Sequence, residues 1–260
     1  MRPKNSASMI FALSFAFLGL MIPNSVHNSG RKIVKQEEDL LKFMSLMKEP
    51  EDSTPGMSLD FKEIGRRKEE NITAVSYDLI ASGMPRNKVY QLWAMGLSNQ
   101  VPTLGGDYVV ETSGRLVSNE TREPLGDVIL RAFSRGEPYR MALIAADKTI
   151  AVFAKVIPFP IEAESSSGCR LIVELVGSDG QIFSVKGKGF VPGEEVSFES
   201  QSLEEELKLV RRASIKGTFD FIYAPAVIGY ESGRCKVKAT GERCQVVVEF
   251  DWGSAAIRPQ

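Results

Sequence analysis

From Thr73 onward the chain is written in short runs where apolar and polar side chains alternate, with turn-forming residues between them. A period of two sets successive side chains on opposite faces of a pleated strand, whereas a helix needs apolar residues every three or four positions. In residues 73–79, Val75, Tyr77 and Leu79 alternate with Ser76 and Asp78, which predicts a half-buried strand. Residues 89–97 predict a second, with Tyr90 and Leu92 on one face and Val89, Gln91 and Trp93 on the other. Further strands are expected at 107–111, 128–133, 139–145 and 149–157. Gly83-Met84-Pro85-Arg86-Asn87, Gly105-Gly106, Ser113-Gly114, Arg135-Gly136-Glu137-Pro138 and Asp147-Lys148 supply the turns. Short strands about ten residues apart, with no long helical stretch between them, predict an all-β chain folded as a sandwich.

Pro158-Phe159-Pro160 interrupts the rhythm. Neither proline can donate to a sheet ladder, so the triplet cannot lie inside a central strand, and a domain boundary is expected there. One sandwich domain would then occupy residues 57–157 and an immunoglobulin-like one residues 161–255. In the second, strands are expected at 169–176, 181–185, 194–200, 218–223, 234–239 and 244–250. Residues 203–212 suit a helix through Leu203, Leu207 and Val210, or a strand through Leu207 and Leu209. The neighbouring strands favour the second reading.

The amino-terminal part differs. Arg2 and Lys4 precede an almost wholly apolar run from Met9 to Ile22, and no acidic residue occurs before Glu37. Such a run rises about 21 Å as a helix, short of a bilayer's roughly 30 Å hydrocarbon core. A secretory signal or uncleaved amino-terminal anchor over residues 1–25 is therefore expected; Ser25 suits the last position before a cut, while Pro23 two places earlier does not favour one. A polar linker follows over 26–56, containing a short helix near 33–48 (Leu40, Leu41, Met44, Met47) and ending in Glu49-Pro50-Glu51-Asp52-Ser53-Thr54-Pro55-Gly56. Export places the protein outside the cytoplasm, in the periplasm, at the cell surface or secreted.

There are 3 cysteines: Cys169, Cys235 and Cys244. In an oxidising compartment they are candidates for a disulfide. A hairpin centred between Ala239 and Thr240 would set Cys235 directly opposite Cys244. Facing non-hydrogen-bonded positions lie about 4.5 Å apart at Cα, a span that a disulfide bridges. The predicted bond is Cys235–Cys244, with pairings of Cys169 to either left open and one thiol left over.

Two local segments resemble known families. Gly83-Met84-Pro85 followed by Tyr90-Gln91-Leu92-Trp93 resembles a segment of the extracytoplasmic domain of anti-sigma-K factors, which is a β-sandwich. Those regulators carry a sigma-binding domain before their membrane helix, whereas 8 residues precede the apolar run here. The resemblance thus implies the fold and speaks against the regulatory role. Gly187 together with Lys188-Gly189-Phe190-Val191-Pro192-Gly193-Glu194-Glu195-Val196 is similar to the corresponding stretch of bacterial immunoglobulin-like domains of the IPT/TIG kind. That similarity implies a sandwich with Phe190 in its core and names no ligand.

The chemistry narrows by exclusion. The single histidine, His27, sits beside the expected cleavage site, so the mature chain is not expected to assemble a Ser–His or Cys–His nucleophile. Histidine-bearing zinc sites fall with it, and three separated cysteines are too few for an all-sulfur one. Lys186-Gly187-Lys188-Gly189 lacks the spacing of a phosphate-binding loop. With 32 basic and 33 acidic residues there is no global field to attract nucleic acid. Glu194-Glu195, Glu204-Glu205-Glu206 and the basic runs Arg66-Arg67-Lys68 and Arg211-Arg212 read as solvated surface. Loop carboxylates such as Asp147 and Asp179 are candidates for weak calcium binding, and Cys169, beside Arg170, is a candidate reactive thiol that at the start of an apolar strand reads first as buried and inert. Tyr77, Tyr90, Trp93, Tyr139, Tyr223 and Trp252 read as core before they read as recognition residues. The expectation is an exported, non-catalytic interaction or structural protein of the bacterial envelope with no catalytic residue, metal or cofactor. Its partner would be a protein or a glycan, and it would touch the membrane only through an uncleaved leader. The alternatives are a carboxylate-dependent envelope enzyme or accessory domain acting on polysaccharide, or a membrane-anchored sensor.

Overall fold

A computed structural model describes residues 48–97 and 103–260. The expected signal segment, His27 and nearly all of the expected 33–48 helix lie outside the described residues. A short 3-10 turn (Pro50–Asp52) leads into β1 (Ser58–Glu69), β2 (Ile72–Ser82), β3 (Tyr90–Gly96), β4 (Thr103–Val110), β5 (Leu116–Ser118), β6 (Val128–Leu130), β7 (Tyr139–Ala145) and β8 (Ala151–Val156). After the double proline come β9 (Ile161–Glu164), β10 (Arg170–Leu175), β11 (Phe183–Lys188), β12 (Glu195–Ser202), β13 (Glu205–Arg212), β14 (Phe219–Tyr223), β15 (Ser232–Thr240) and β16 (Gln245–Gly253). Of the ambiguous 203–212 stretch, residues 205–212 are a strand and 203–204 form the turn that leads into it. No α-helix occurs among the described residues.

These strands make four antiparallel sheets, consistent with two sandwiches in tandem. The first pairs β1-β2-β6 with β5-β4-β3-β7-β8, and the second pairs β14-β11-β10-β9 with β13-β12-β15-β16. Alternation explains the burial. On β16, Val246, Val248, Phe250 and Trp252 are buried while Gln245 and Glu249 are exposed. Each such buried side chain stabilises the fold by about 1.5–3 kcal/mol. The buried residues of the second sandwich all lie at Ile161 or beyond, and those of the first all lie at or before Ala154. Of the aromatic residues expected in the core, Tyr77, Tyr90, Trp93, Tyr223 and Trp252 are buried and Tyr139 half-buried.

Four expectations change. The charge-dense segment 58–69, not anticipated as a strand, is β1; only Leu59 is buried on it, so it carries almost no alternation signal. Its register shifts around Ile64, which is left unpaired as a bulge. Gly105-Gly106 is not a turn but lies within β4, where the pairing with β3 slips between Leu92 and Trp93. Gly106 adopts φ +124°, a conformation open mainly to glycine.

The third is the disulfide. Cys235 pairs across the ladder with Phe250, and the hairpin closes at Thr240↔Gln245, three residues later than expected. Alternation simply continues through Val237 and Ala239, both buried, and the turn falls at Gly241–Cys244, where Gly241 N–H donates to Cys244 O at 2.9 Å. Shifting a hairpin centre by three moves every cross-strand partner by six. Cys235 is therefore carried away from Cys244, and the bond is Cys169–Cys244, with Cα atoms 6.2 Å apart. It joins the strand entering β10 to the strand entering β16, and so ties the two sheets of the second sandwich together.

The Glu49–Gly56 stretch, expected as a linker, is bound to β8. Thr54 N–H donates to Ala151 O at 2.9 Å, Ala151 N–H donates to Thr54 Oγ1 at 3.1 Å, and Phe153 N–H donates to Ser53 Oγ at 3.0 Å. Those bonds occupy an otherwise open sheet edge.

Candidate functional site

On β10, Leu171, Val173 and Leu175 face the core, so the pleat turns Ile172 and Glu174 to the opposite face of the sheet. On β8, Val152 and Ala154 face the first core and Lys155 points away from it; on β7, Met141 and Leu143 do the same for Arg140. Arg140 and Lys155 stand opposite each other in the β7–β8 register. Glu174 meets both of them. Its side chain is only 3% exposed, and it accepts from Arg140 Nη2, from Lys155 Nζ at 2.9 Å and from Lys186 Nζ at 3.5 Å. Lys155 also donates to Glu49, as does Lys186 at 3.1 Å. Glu49, on the segment leading into the fold, thus bridges a lysine of each sandwich. Glu49, Lys155, Glu174 and Lys186 line a cleft of about 790 Å³ whose wall also includes Glu162, Lys188 and Asp220.

Two carboxylates sharing two lysines in a cleft have the outline of an acid–base pair, and their electrostatics are wrong for it. Burial is the largest influence on Glu174 and pushes its pKa up, but Lys155, Arg140 and Lys186 together outweigh it and hold the carboxyl below its ordinary range. Glu49 behaves likewise: burial raises it, and Lys155 and Lys186 more than offset that. A general acid must keep its proton near neutral pH. Both groups are anions there, and the cluster works as a clamp.

The clamp does not act alone. Gly136 N–H donates to Phe159 O, and Leu175 N–H donates to Gly136 O, each at 2.8 Å. A Cβ at Gly136 would lie 2.9 Å from Ile161 Cδ1 and 3.2 Å from Val173 O, with φ already at +75°, so only glycine permits this approach. The chain beyond β16 returns to the first sandwich, where Gln260 N–H donates to Phe133 O at 3.0 Å and Thr73 N–H to Gln260 O at 2.6 Å.

The other candidates resolve as follows. Glu194 is not surface charge: it is 5% exposed, with Oε1 accepting Val191 N–H at 2.7 Å and Oε2 accepting Glu242 N–H. A Cβ at Gly241 would sit 2.6 Å from Glu194 Oε1, so the glycine leaves room for the carboxylate. Asp147 accepts from Lys88 and from Thr149, and these bonds hold its carboxyl down to about 2. Asp179 accepts Gln181 N–H at 3.0 Å, a turn contact. No group of three metal-ligating side chains occurs among the described residues. The spare thiol is Cys235 rather than Cys169, and it is buried. Burial pushes its pKa up to about 11, far from thiolate reactivity. Its neighbour Tyr223 donates to Ser200 Oγ at 2.9 Å, and Trp252 Nε1 donates to Ser202 Oγ at 2.8 Å, so the buried hydroxyls are spent on the core.

Sequence reading gave no place in a site to Glu49, Arg140, Lys155, Glu174 or Lys186. One signal was present: Glu174 sits inside the apolar run Leu171–Leu175, where an acid needs a partner.

Fold and site together define a tandem β-sandwich protein with a charge-clamped junction and one disulfide between the sheets of its second sandwich. No known family description matches the chain, and neither local resemblance read from the sequence returns as one. No curated protein matches it either. Among solved structures it is similar to a tetra-tandem repeat in the extending region of a large adhesion protein, at 8% identity and a TM-score of 0.25. That similarity covers 76% of this chain and 49% of the other, so the chain spans about half that structure's length.

Proposed function

We propose that the protein is an exported, non-catalytic structural or interaction protein of the cell envelope, in which domains 57–157 and 161–255 work as one stiff unit. The observation carrying this reading is Glu174: a buried carboxylate of the second sandwich clamped by Arg140 and Lys155 of the first and by Lys186 of its own. A group held as an anion in that way is suited to fixing geometry and unsuited to donating a proton. The Cys169–Cys244 bond supports an oxidising location, and the apolar run before Pro23 supports export by a signal or anchor. The partner in this reading is a protein or a glycan.

The test joins a binding screen to a turnover assay. The purified protein is offered peptidoglycan and a glycan array, and soluble fragments are measured beside retained protein. Retention without fragment release is the expected result. Fragment release that disappears in Glu174→Gln would overturn the non-catalytic reading, because the clamp would then be doing chemistry.

A further inference from the structure

Sheet edges present unpaired backbone groups, and folded proteins shield them. Here β8 is covered by residues 53–54, β1 carries a bulge at Ile64, β5 and β6 are three residues long, and β16 lies against β9. β13 has no covering segment and no bulge, and its only shield is charge, on five of its eight residues. It pairs with β12 alone, over eight residues without a register shift, and its only residue that is not exposed is the half-buried Leu209. Leu207 and Val210 on it are 45% and 54% exposed.

The order of residues along this edge is self-complementary. β13 reads Glu205-Glu206-Leu207-Lys208-Leu209-Val210-Arg211-Arg212, acidic at one end and basic at the other. Opposed residues of an antiparallel pair share a face of the sheet, so a two-fold axis relating two copies of β13 must pass through a residue. An axis through Lys208 pairs Glu205 with Arg211 twice but sets the two Lys208 side chains against each other at the axis itself, which an axis through Leu209 avoids. An axis through Leu209 packs Leu209 on Leu209 and puts Lys208 opposite Val210. It also puts Glu206 of each copy opposite Arg212 of the other, a favourable cross-strand pair made twice. We infer that β13 is the docking edge for a second copy of this chain, the two joining antiparallel about Leu209 so that the sheet β13-β12-β15-β16 continues across the axis. Half-buried Leu209 and exposed Leu207 then gain cover beside Phe221, over which Arg211 already stacks at 5.2 Å. This pairing is independent of whether the protein binds glycan.

The experiment is sedimentation equilibrium on the full chain and on two charge reversals, Glu206→Arg and Arg212→Glu, with thermal melts to show that each stays folded. Both side chains are exposed; Arg212 also donates to Gly193 O at 3.1 Å and faces Glu195, so Arg212→Glu is expected to melt lower than Glu206→Arg while staying folded. The wild type is expected to dimerise as concentration rises, and each reversal to weaken dimerisation about tenfold or more. Mixing the two variants in equal amounts restores both Glu–Arg contacts, so a heterodimer should form where neither variant pairs with itself. A wild type monomeric at every concentration overturns the inference. So does a dimer indifferent to both reversals, or a loss that mixing does not repair.

Discussion

Glu174 and Glu194 are both almost wholly buried in the second sandwich, and the protein satisfies them in opposite ways. Glu174 is neutralised by side-chain charges drawn from two sandwiches, while Glu194 is held by backbone N–H groups of two turns in one sandwich. The first arrangement depends on the sandwiches staying together; the second depends only on local chain geometry. A charge-clamped carboxylate thus reports on the junction, and an amide-bound one reports on the turns around it.

The comparison breaks most sharply at Glu174. Glu174→Ala leaves Arg140 without its acid and Lys155 with Glu49 alone, and removing one partner of a buried ion pair costs about 3–5 kcal/mol. Urea unfolding should show that loss. The pH dependence carries its own sign. Because the folded pKa lies below the unfolded value of about 4.3, the contribution is fully present above that value. It disappears as pH falls through the lower folded pKa. A Glu174→Gln variant should therefore lose less stability than wild type on acidification below about pH 5, and equal slopes would refute the clamp.

Removing the covalent tie should come next. Replacing both Cys169 and Cys244 by alanine is expected to cost about 2–4 kcal/mol. The effect belongs to the second sandwich, so intact-mass measurement must also show Cys235 free in wild type and no new bond in the variant. Glu194→Ala should cost less, about 1–3 kcal/mol, since it strips acceptors from the N–H groups of Val191 and Glu242. Hydrogen exchange at Glu242 should rise while exchange around Leu175 stays unchanged; a rise at both would erase the distinction between the two carboxylates. The smallest effect is expected for Glu49→Gln, at under about 1 kcal/mol, because that partner is the most exposed member of the group. Its loss should be masked by high salt, which screens Glu49 more than Glu174.

How much of this was legible in advance depended on whether a residue's neighbours lie nearby in sequence. Alternation exposed β2, β15 and β16 because their inward faces are apolar and their outward faces are not. β1 escaped because at a charged edge the pleat has little apolar face to reveal. The Gly105-Gly106 pair was misread because glycine serves a turn and a bulge equally well. The hairpin error had a related root: the whole 238–241 stretch suits a turn locally, while Val237 and Ala239 in fact continue the inward face of β15, and the turn that follows is braced by Glu194, 48 residues from Glu242.

The chain's own order of residues decided that it folds as sheets, where the strands of the cores run, and that Pro158 and Pro160 interrupt them. These follow from pleat periodicity and from proline's missing amide, both local properties. Only the tertiary structure decided that Cys244 takes Cys169, that Glu194 is buried, and that Glu174 finds Arg140, Lys155 and Lys186. Each is a meeting of residues far apart along the chain, fixed by strand register and by which sheet faces come together.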